Sequence, residues 1–142
     1  MICGLFVLLA DGGSSYMLYT EILKQNKDFQ ICYHKGKCVV SQNVIIYAKQ
    51  NRLPCNRLGI TTGKKIGNAV CRSRARRIIR QAWREQEIYA PVGMDIVIVA
   101  RTHITEINSC VLSRWLFKYG IPALHQIYAG TYQQFPRKSA KS

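Results

Sequence analysis

The chain has 142 residues, of which 21 are Lys or Arg and 7 are Asp or Glu, giving a formal net charge of +14. This length fits one domain with terminal extensions, and a hydrophobic content of 48% excludes a wholly disordered chain. The longest apolar run, near Ile2–Ala10, is about half the ~20 residues of a membrane-spanning helix, so we expect no membrane span. The charge favours a polyanionic partner, nucleic acid before an anionic membrane surface.

The first 16 residues differ in composition from those that follow. No Lys or Arg precedes Ile2–Ala10, and Asp11 follows it instead of a small-residue cleavage site, which disfavours a signal peptide. We expect residues 1–16 to be an apolar N-terminal extension, upstream of a natural start at Met17. The domain is then expected over residues 17–120, with a basic C-terminal tail over residues 121–142.

Several elements are predicted before the most basic part of the chain. Asn26 or Asp28 is expected to cap a short helix that runs to about His34. Cys38–Lys49, rich in β-branched residues, predicts one strand, and Arg57–Thr62 predicts a second. From position 29 to position 84 there are 13 Lys or Arg and no Asp or Glu, so one continuous segment carries the positive field.

Ala69–Glu87 predicts the clearest helix, because it contains no Gly or Pro and follows Asn68, a favourable N-cap residue. At 100° per residue its apolar side chains lie on one face and most of its arginines on another. Solvated helix faces usually mix charge signs, whereas like charges four residues apart destabilise a helix by about 0.2–0.5 kcal/mol per pair. We therefore expect an anionic partner, and the forked donors of arginine match phosphate oxygens.

The turn before this helix adds Lys64 and Lys65 to the free amides of a helix N-terminus, which is a favourable anion site. Asn68 has two roles open to it: capping alone, or capping together with a contact to RNA or a hydrated metal ion. The aromatic residues Phe29 and Tyr33, like Tyr47, are interpreted either as core side chains or as platforms for unpaired bases.

The remaining elements complete an α+β pattern. Met94–Arg101 is apolar on both faces and predicts a buried central strand. We expect a final helix over residues 106–119, capped by Thr105 and ended by Gly120 and Pro122.

The residues that usually carry catalysis or bind metals form no convincing set. The six cysteines include no Cys-x-x-Cys pair, which favours free thiols in a reducing compartment, and the three histidines are scattered, which disfavours zinc. The acid-free basic segment offers no paired carboxylates for a two-metal nuclease. The residues alone thus predict a basic nucleic-acid-binding domain without its own active site.

The run from Gly59 to Trp83 resembles the signature of the bacterial ribonuclease P protein subunit. Its Lys-Lys-Ile-Gly-Asn-Ala-Val segment, residues 64–70, leads into Arg-Ser-Arg at residues 72–74 and then into further arginines. Leu23–Phe29 and Met94–Arg101 resemble two other family segments, so the resemblance covers about residues 23–119. The family has Asn where this chain has Ser73, so a contact made by that amide is expected to be shortened or absent.

The resemblance implies an α+β fold in which a small sheet packs with helices, like ribosomal protein S5 domain 2. It also implies a left-handed βαβ crossover through the arginine-rich helix, against the usual right-handed rule. The implied function is that of the RNA-binding subunit of ribonuclease P, the endoribonuclease that removes the 5′ leader of precursor tRNA. Catalysis and Mg²⁺ binding are then carried mainly by the RNA, with no catalytic or metal-binding residue in the protein.

The implied partners are ribonuclease P RNA and precursor tRNA, with the protein monomeric in a cytoplasmic ribonucleoprotein and no membrane contact. The implied contacts to the catalytic RNA come from Lys64, Lys65, Asn68, Arg72, Ser73, Arg74, Arg76, Arg77 and Arg80. A cleft for the single-stranded leader is implied at Phe29, Tyr33, Val44 and Tyr47.

Three alternatives stay open at this point. A ribosomal or other RNA-binding protein of similar fold shares the charge but does not affect leader cleavage. A helix-turn-helix DNA-binding protein is disfavoured by the strands that flank the basic helix. A stand-alone nuclease requires a carboxylate or Cys–His site that the sequence does not indicate.

Overall fold

A computed structural model of the chain describes residues 20–133. Helices cover both faces of one mixed sheet with the strand order β1-β4-β5-β3-β2. The strands are β1 (Thr20–Ile22), β2 (Lys37–Val40), β3 (Val44–Gln50), β4 (Asn56–Thr61) and β5 (Met94–Ala100). The helices are α1 (Asn26–Lys35), α2 (Ala69–Gln86), α3 (Ser109–Trp115) and α4 (Ile121–Ala129). The predicted α+β fold is confirmed, whereas the predicted extension over residues 1–16 lies outside the described residues.

The central strand is β5, which pairs in parallel with β4 and antiparallel with β3. It is buried along nearly its whole length, as its apolar sequence predicts. Because α2 connects β4 to β5, the sequence β4–α2–β5 is the expected βαβ crossover. The left-handed sense of this crossover stays a prediction of the resemblance.

The single strand predicted over Cys38–Lys49 is wrong, because the chain turns back within it and forms the hairpin of β2 and β3. The Ser41 hydroxyl accepts hydrogen bonds from the backbone N–H groups of Asn43 and Val44 at 3.2 and 3.0 Å. Such local side-chain bonds to the backbone favour a turn over a continuous strand. The hairpin makes β2 an edge of the sheet.

Strand alternation divides the interior into two clusters. Val44, Ile46 and Ala48 point into the main core, which α2, α3 and α4 cover. Tyr47, on the opposite face of β3, packs with α1 against a smaller cluster formed by Leu23, Cys32 and Val97. The two faces of one strand therefore contact different helices.

The predicted N-caps of the first helix are wrong. Gln25 precedes the first helical residue, and its side chain makes no capping hydrogen bond. The prediction for α2 is confirmed, since the Asn68 Oδ1 accepts a hydrogen bond from the Cys71 backbone N–H at 3.0 Å.

Strand β1 was not predicted, and a buried side-chain network holds it in place. The Thr20 hydroxyl donates to Glu87 Oε2 at 2.8 Å and accepts from Trp83 Nε1 at 3.0 Å. This network joins the sheet edge to the C-terminal end of α2. Three residues are too few for a periodic strand signal.

The predicted C-terminal helix is also corrected. A 3₁₀ turn occupies Thr102–Glu106, and Asn108, not Thr105, caps α3 by accepting from the Val111 N–H at 3.1 Å. The helix does not end at Gly120: a π-helical turn, Leu116–Gly120, leads directly into α4.

Pro122 stands in the first turn of α4, where a missing N–H is tolerated. The buried side chains of α4 are Ile121, Ala123, Leu124 and Ile127, and all belong to the main core. The predicted tail therefore does not begin at residue 121, because residues 121–129 are part of the folded domain. Residues 134–142 lie outside the described part of the chain.

Candidate nucleic-acid interface

Helix α2 presents two faces of opposite character. Its buried residues are Ala75, Ile78, Ile79, Ala82 and Trp83. The other side is here called the arginine face, and it consists of Arg72, Ser73, Arg74, Arg76, Arg77 and Arg80. Arg74, Arg77 and Arg80 are exposed, whereas Arg72, Ser73 and Arg76 are half-buried. The apolar face packs into the main core and leaves Arg74, Arg77 and Arg80 exposed to solvent.

The arginine face lacks internal neutralisation. The ion pairs found in residues 20–133 involve Arg57 and His103, and none involves an arginine of α2. The Arg76 Nη1 donates instead to the Thr62 hydroxyl at 2.9 Å, which joins this face to the end of β4. The nearest acid on the helix, Glu85, accepts from the Gln81 amide at 3.0 Å. The positive charge of the arginine face is therefore not neutralised by any carboxylate within residues 20–133.

A basic turn precedes α2. Lys64–Ile66 forms a 3₁₀ turn in which Ile66 is buried while Lys64 and Lys65 are exposed. Gly67 has a φ of +134°, a conformation that residues with a Cβ rarely adopt, and it carries the chain from this turn to the cap at Asn68. Both lysines are thereby held next to the positive end of an 18-residue helix.

Three aromatic residues form a second surface. The rings of Tyr33 on α1 and Tyr47 on β3 meet edge to face, with centroids 5.1 Å apart and planes at 83°. The Tyr33 hydroxyl lies 2.8 Å from the Thr61 hydroxyl. The Phe29 ring packs over Gly59, where an added Cβ would lie 2.4 Å from the ring. All three rings are half-buried, so each serves the small core and also faces solvent.

The predicted place of Val44 in the leader cleft is wrong. Its side chain is fully buried in the main core, on the face of β3 opposite to Tyr47. On the Tyr47 face the half-buried neighbours are Ile45 and Val99, which are partners across β3 and β5. The aromatic surface is here defined as Phe29, Tyr33, Tyr47, Ile45 and Val99. The sequence contains the pattern that points to Ile45, because side chains alternate along β3 and place Ile45, not Val44, on the face of Tyr47.

A buried ion pair holds α1 beside this surface. The Arg57 guanidinium donates to both oxygens of Asp95, at 2.7 and 2.6 Å, and lies 3.4 Å from Asp28 on α1. Burial by itself raises the pKa of Asp95, but hydrogen bonds from Arg57 and Asn51 outweigh it and hold that pKa below its ordinary value. The pKa of Arg57 is raised, chiefly by its hydrogen bonds to Asp95.

Three cysteines of the described chain are buried. They are Cys32, Cys38 and Cys55, and burial raises the pKa of Cys32 to about 11. In the part of the chain that the structure describes, no group of three or more His, Cys, Asp or Glu side chains is placed to hold a metal ion. No helix among those residues is long and apolar enough to cross a membrane.

These features define a class of protein: a basic α+β RNA-binding protein with an arginine-rich helix on one face of its sheet and half-buried aromatic residues on the other. The family model for ribonuclease P matches residues 17–119, and the chain belongs to the ribonuclease P protein family. Members are protein components of a ribonucleoprotein endoribonuclease that processes the 5′ end of tRNA. The ribosomal, helix-turn-helix and stand-alone nuclease alternatives are thereby set aside.

Individual relatives agree with this assignment. The chain is 40% identical to the ribonuclease P protein component of Alkaliphilus metalliredigens over 84 residues, 59% of this chain and 76% of that protein. It is 38% identical to that of Oceanobacillus iheyensis over 104 residues, 70% of this chain and 86% of that protein.

Two solved structures share the fold. The ribonuclease P protein of Staphylococcus aureus matches with a TM-score of 0.64 and 28% identity, covering 75% of this chain and 96% of that one. The protein from Thermotoga maritima matches with a TM-score of 0.62 and 26% identity, covering 68% of this chain and 92% of that one.

Proposed function

We propose that this protein binds the catalytic RNA of ribonuclease P through the arginine face and the basic turn, and the 5′ leader of precursor tRNA through the aromatic surface. The observation that carries the first assignment is the arginine face, whose guanidinium groups have no carboxylate partner among residues 20–133. Like charges at four-residue spacing cost the helix free energy, and phosphate oxygens recover it when they bind. Lys64 and Lys65 extend the same field to the helix N-terminus.

The aromatic surface supports the second assignment. The edge-to-face contact of Tyr33 with Tyr47 and the hydroxyl contact to Thr61 fix the rings before any ligand arrives. Stacking of an unpaired base on an aromatic ring contributes about 1–3 kcal/mol without requiring a particular sequence. Such tolerance suits a leader, whose sequence differs from one precursor tRNA to the next.

Ser73 alters one contact on the arginine face. Its hydroxyl is shorter than the family's Asn side chain, and it lies in a shallow depression that Arg74 and Arg77 also line. The flanking arginines are therefore proposed to carry the phosphate contacts at this point, with Ser73 contributing a smaller share.

The chemistry of leader removal is assigned to the RNA. The proposed partners are ribonuclease P RNA and precursor tRNA, met in the cytoplasm by one copy of the protein. Mg²⁺ is proposed to be bound mainly by RNA phosphates, because the described donors around the arginine face are cationic and repel it. The protein then lowers the Mg²⁺ requirement by neutralising phosphates that the ion otherwise screens.

Reconstitution tests this function. The chain is mixed with a bacterial ribonuclease P RNA at near-physiological Mg²⁺, and removal of a precursor-tRNA leader is followed over time. We expect the protein to restore cleavage that the RNA alone performs poorly. Protein that binds neither the RNA nor the precursor contradicts the proposal, and protein that cleaves without added RNA contradicts the absence of catalytic side chains.

Two sets of variants separate the surfaces. Replacing Arg72 and Arg76 together with Ala is expected to lower the salt dependence of binding to the catalytic RNA, by about 0.7–0.9 in log–log slope for each phosphate that the protein no longer neutralises. Lys24→Ala, which removes an exposed charge away from α2, is the control. Phe29→Leu keeps an apolar side chain over Gly59 but removes the stacking face. It should weaken binding of long-leader precursors and leave mature tRNA unchanged; equal weakening of both contradicts the leader assignment.

A further inference from the structure

A second aromatic and basic surface lies away from both surfaces described above. An open groove of about 670 Å³ lies between the C-terminal end of α2, helix α3 and the π-helical turn. The rings of Tyr89 and Phe117 border it, 54% and 59% exposed, in an edge-to-face contact with centroids 5.7 Å apart. Arg114 and Lys118, both exposed, lie on the same groove.

Local structure holds these groups in place. The Ile121 N–H donates to the Leu116 carbonyl, which closes the π-helical turn that carries Phe117 and Lys118. The His125 Nε2 lies 2.7 Å from the Tyr89 carbonyl, so α4 fixes the turn that presents this tyrosine. Helix α4 begins beyond residue 119, where the family match ends. The residues that line the groove lie within the family match, whereas the His125 side chain that contacts the Tyr89 carbonyl lies outside it.

The wall of the groove contains an unpaired acceptor. The Gln86 Nε2 donates to the Ser113 hydroxyl at 2.9 Å. Within residues 20–133, Gln86 Oε1 is a buried side-chain oxygen with no hydrogen-bond partner. A buried acceptor without a partner is costly, and the amino group of a nucleobase is the kind of donor that satisfies one.

We propose that this groove is a further binding site for single-stranded RNA, in which a base stacks on Phe117 or Tyr89 and phosphates contact Arg114 and Lys118. Aromatic faces next to cations form the pattern that binds unpaired nucleotides. Among the described residues that line the groove, Glu85 is the acid, against the two cations Arg114 and Lys118, so these side chains leave it with a net positive charge. The proposal does not depend on the leader assignment.

Photo-cross-linking locates the site. The probe is a cytidine oligomer of about eight nucleotides with one 4-thiouridine, a length within the usual range of single-strand sites. After cross-linking to the full chain, nuclease and trypsin treatment releases peptides that mass spectrometry identifies. Trypsin places Phe117 and Phe29 on different peptides, so the two surfaces are read independently.

We expect cross-links at Phe117 or Tyr89 whose yield falls at least about fivefold in Phe117→Ala, the lower limit for removing one stacked base. Arg114→Ala should lower the same yield, mainly at low salt. Tyr128→Ala is the control, because this ring on α4 is 45% exposed and does not line the groove. Absence of these cross-links, or equal yields in Phe117→Ala and the native chain, overturns the proposal. The proposal is also overturned if the native chain sediments as a dimer and Phe117→Ala abolishes that dimer. The groove is then assigned to self-association.

Discussion

Replacing Arg57 with Met removes the guanidinium that neutralises Asp95, while it keeps a long side chain beneath α1. The Asp95 side chain is only 3% exposed, and it loses two hydrogen bonds of 2.7 and 2.6 Å. Removing one partner of a buried ion pair costs ~3–5 kcal/mol, because the other charge stays buried without compensation. Since the Arg57 side chain is 24% exposed, we expect a loss of stability near the lower limit, about 3 kcal/mol.

The pH dependence tests the cause of that loss. In the native protein the pKa of Asp95 is lowered, so the stability that the pair contributes is present above the unfolded pKa of about 3.9. That contribution disappears as pH falls through the folded pKa. In Arg57→Met, burial of Asp95 dominates and raises its pKa, so this variant gains stability as pH falls from neutrality towards the raised pKa. The stability difference between the two proteins is therefore largest at neutral pH and shrinks on acidification.

Urea unfolding measures this difference in stability at two pH values, near pH 7 and near pH 4.5. Most of the expected titration of Asp95 in Arg57→Met lies between them. Arg101→Met is the control, because Arg101 is also half-buried but donates to the Ser41 carbonyl at 2.8 Å and forms no ion pair within residues 20–133. Its loss of stability should be about 1 kcal/mol and independent of pH. A stability difference between the native chain and Arg57→Met that is equal at both pH values would refute the reasoning, because it would show that packing and not charge is responsible.

Three further predictions concern separate elements. Asn68→Ala should lower the free energy of unfolding by about 1 kcal/mol through removal of the α2 cap, as chemical denaturation can show. At pH 8, Cys32 should react with iodoacetamide far more slowly than the exposed Cys110, because burial raises its pKa to about 11; equal alkylation rates by mass spectrometry would contradict this. Gly59→Ala should displace the Phe29 ring. The overpacking should lower the free energy of unfolding by about 1–3 kcal/mol and so lower the melting temperature, and an unchanged melting temperature would count against that contact.

The long and strongly patterned elements were predictable from the sequence. Helix α2 needed only its 3.6-residue apolar period, the absence of Gly and Pro and the capping residue Asn68, all of which are local properties. Strand β5 was predictable because a strand buried on both faces is continuously apolar. The positive charge of the arginine face followed from composition alone, as did the expectation of a polyanionic partner.

Short elements and their ends required tertiary structure. Strand β1 is held in place by hydrogen bonds of the Thr20 hydroxyl with Glu87 and Trp83, which are distant in sequence. The Pro122 signal predicted a helix end, but a proline in the first turn of a helix is compatible with continuation. Burial of Ile121 and Leu124 in the main core then stabilises a helix that the local sequence does not predict.

The sequence by itself determined that this protein is a basic α+β domain with an arginine-rich amphipathic helix, because charge, period and capping are properties of neighbouring residues. Only the tertiary structure decided which aromatic side chains share a surface. Alternation along β3 separates Tyr47 from Val44, but only the packing of α1 against the sheet brings Phe29 and Tyr33 to the face of Tyr47. The groove at Phe117 likewise forms where the end of α2 meets α3 and the π-helical turn, and His125 of α4 contacts the backbone of Tyr89 beside it.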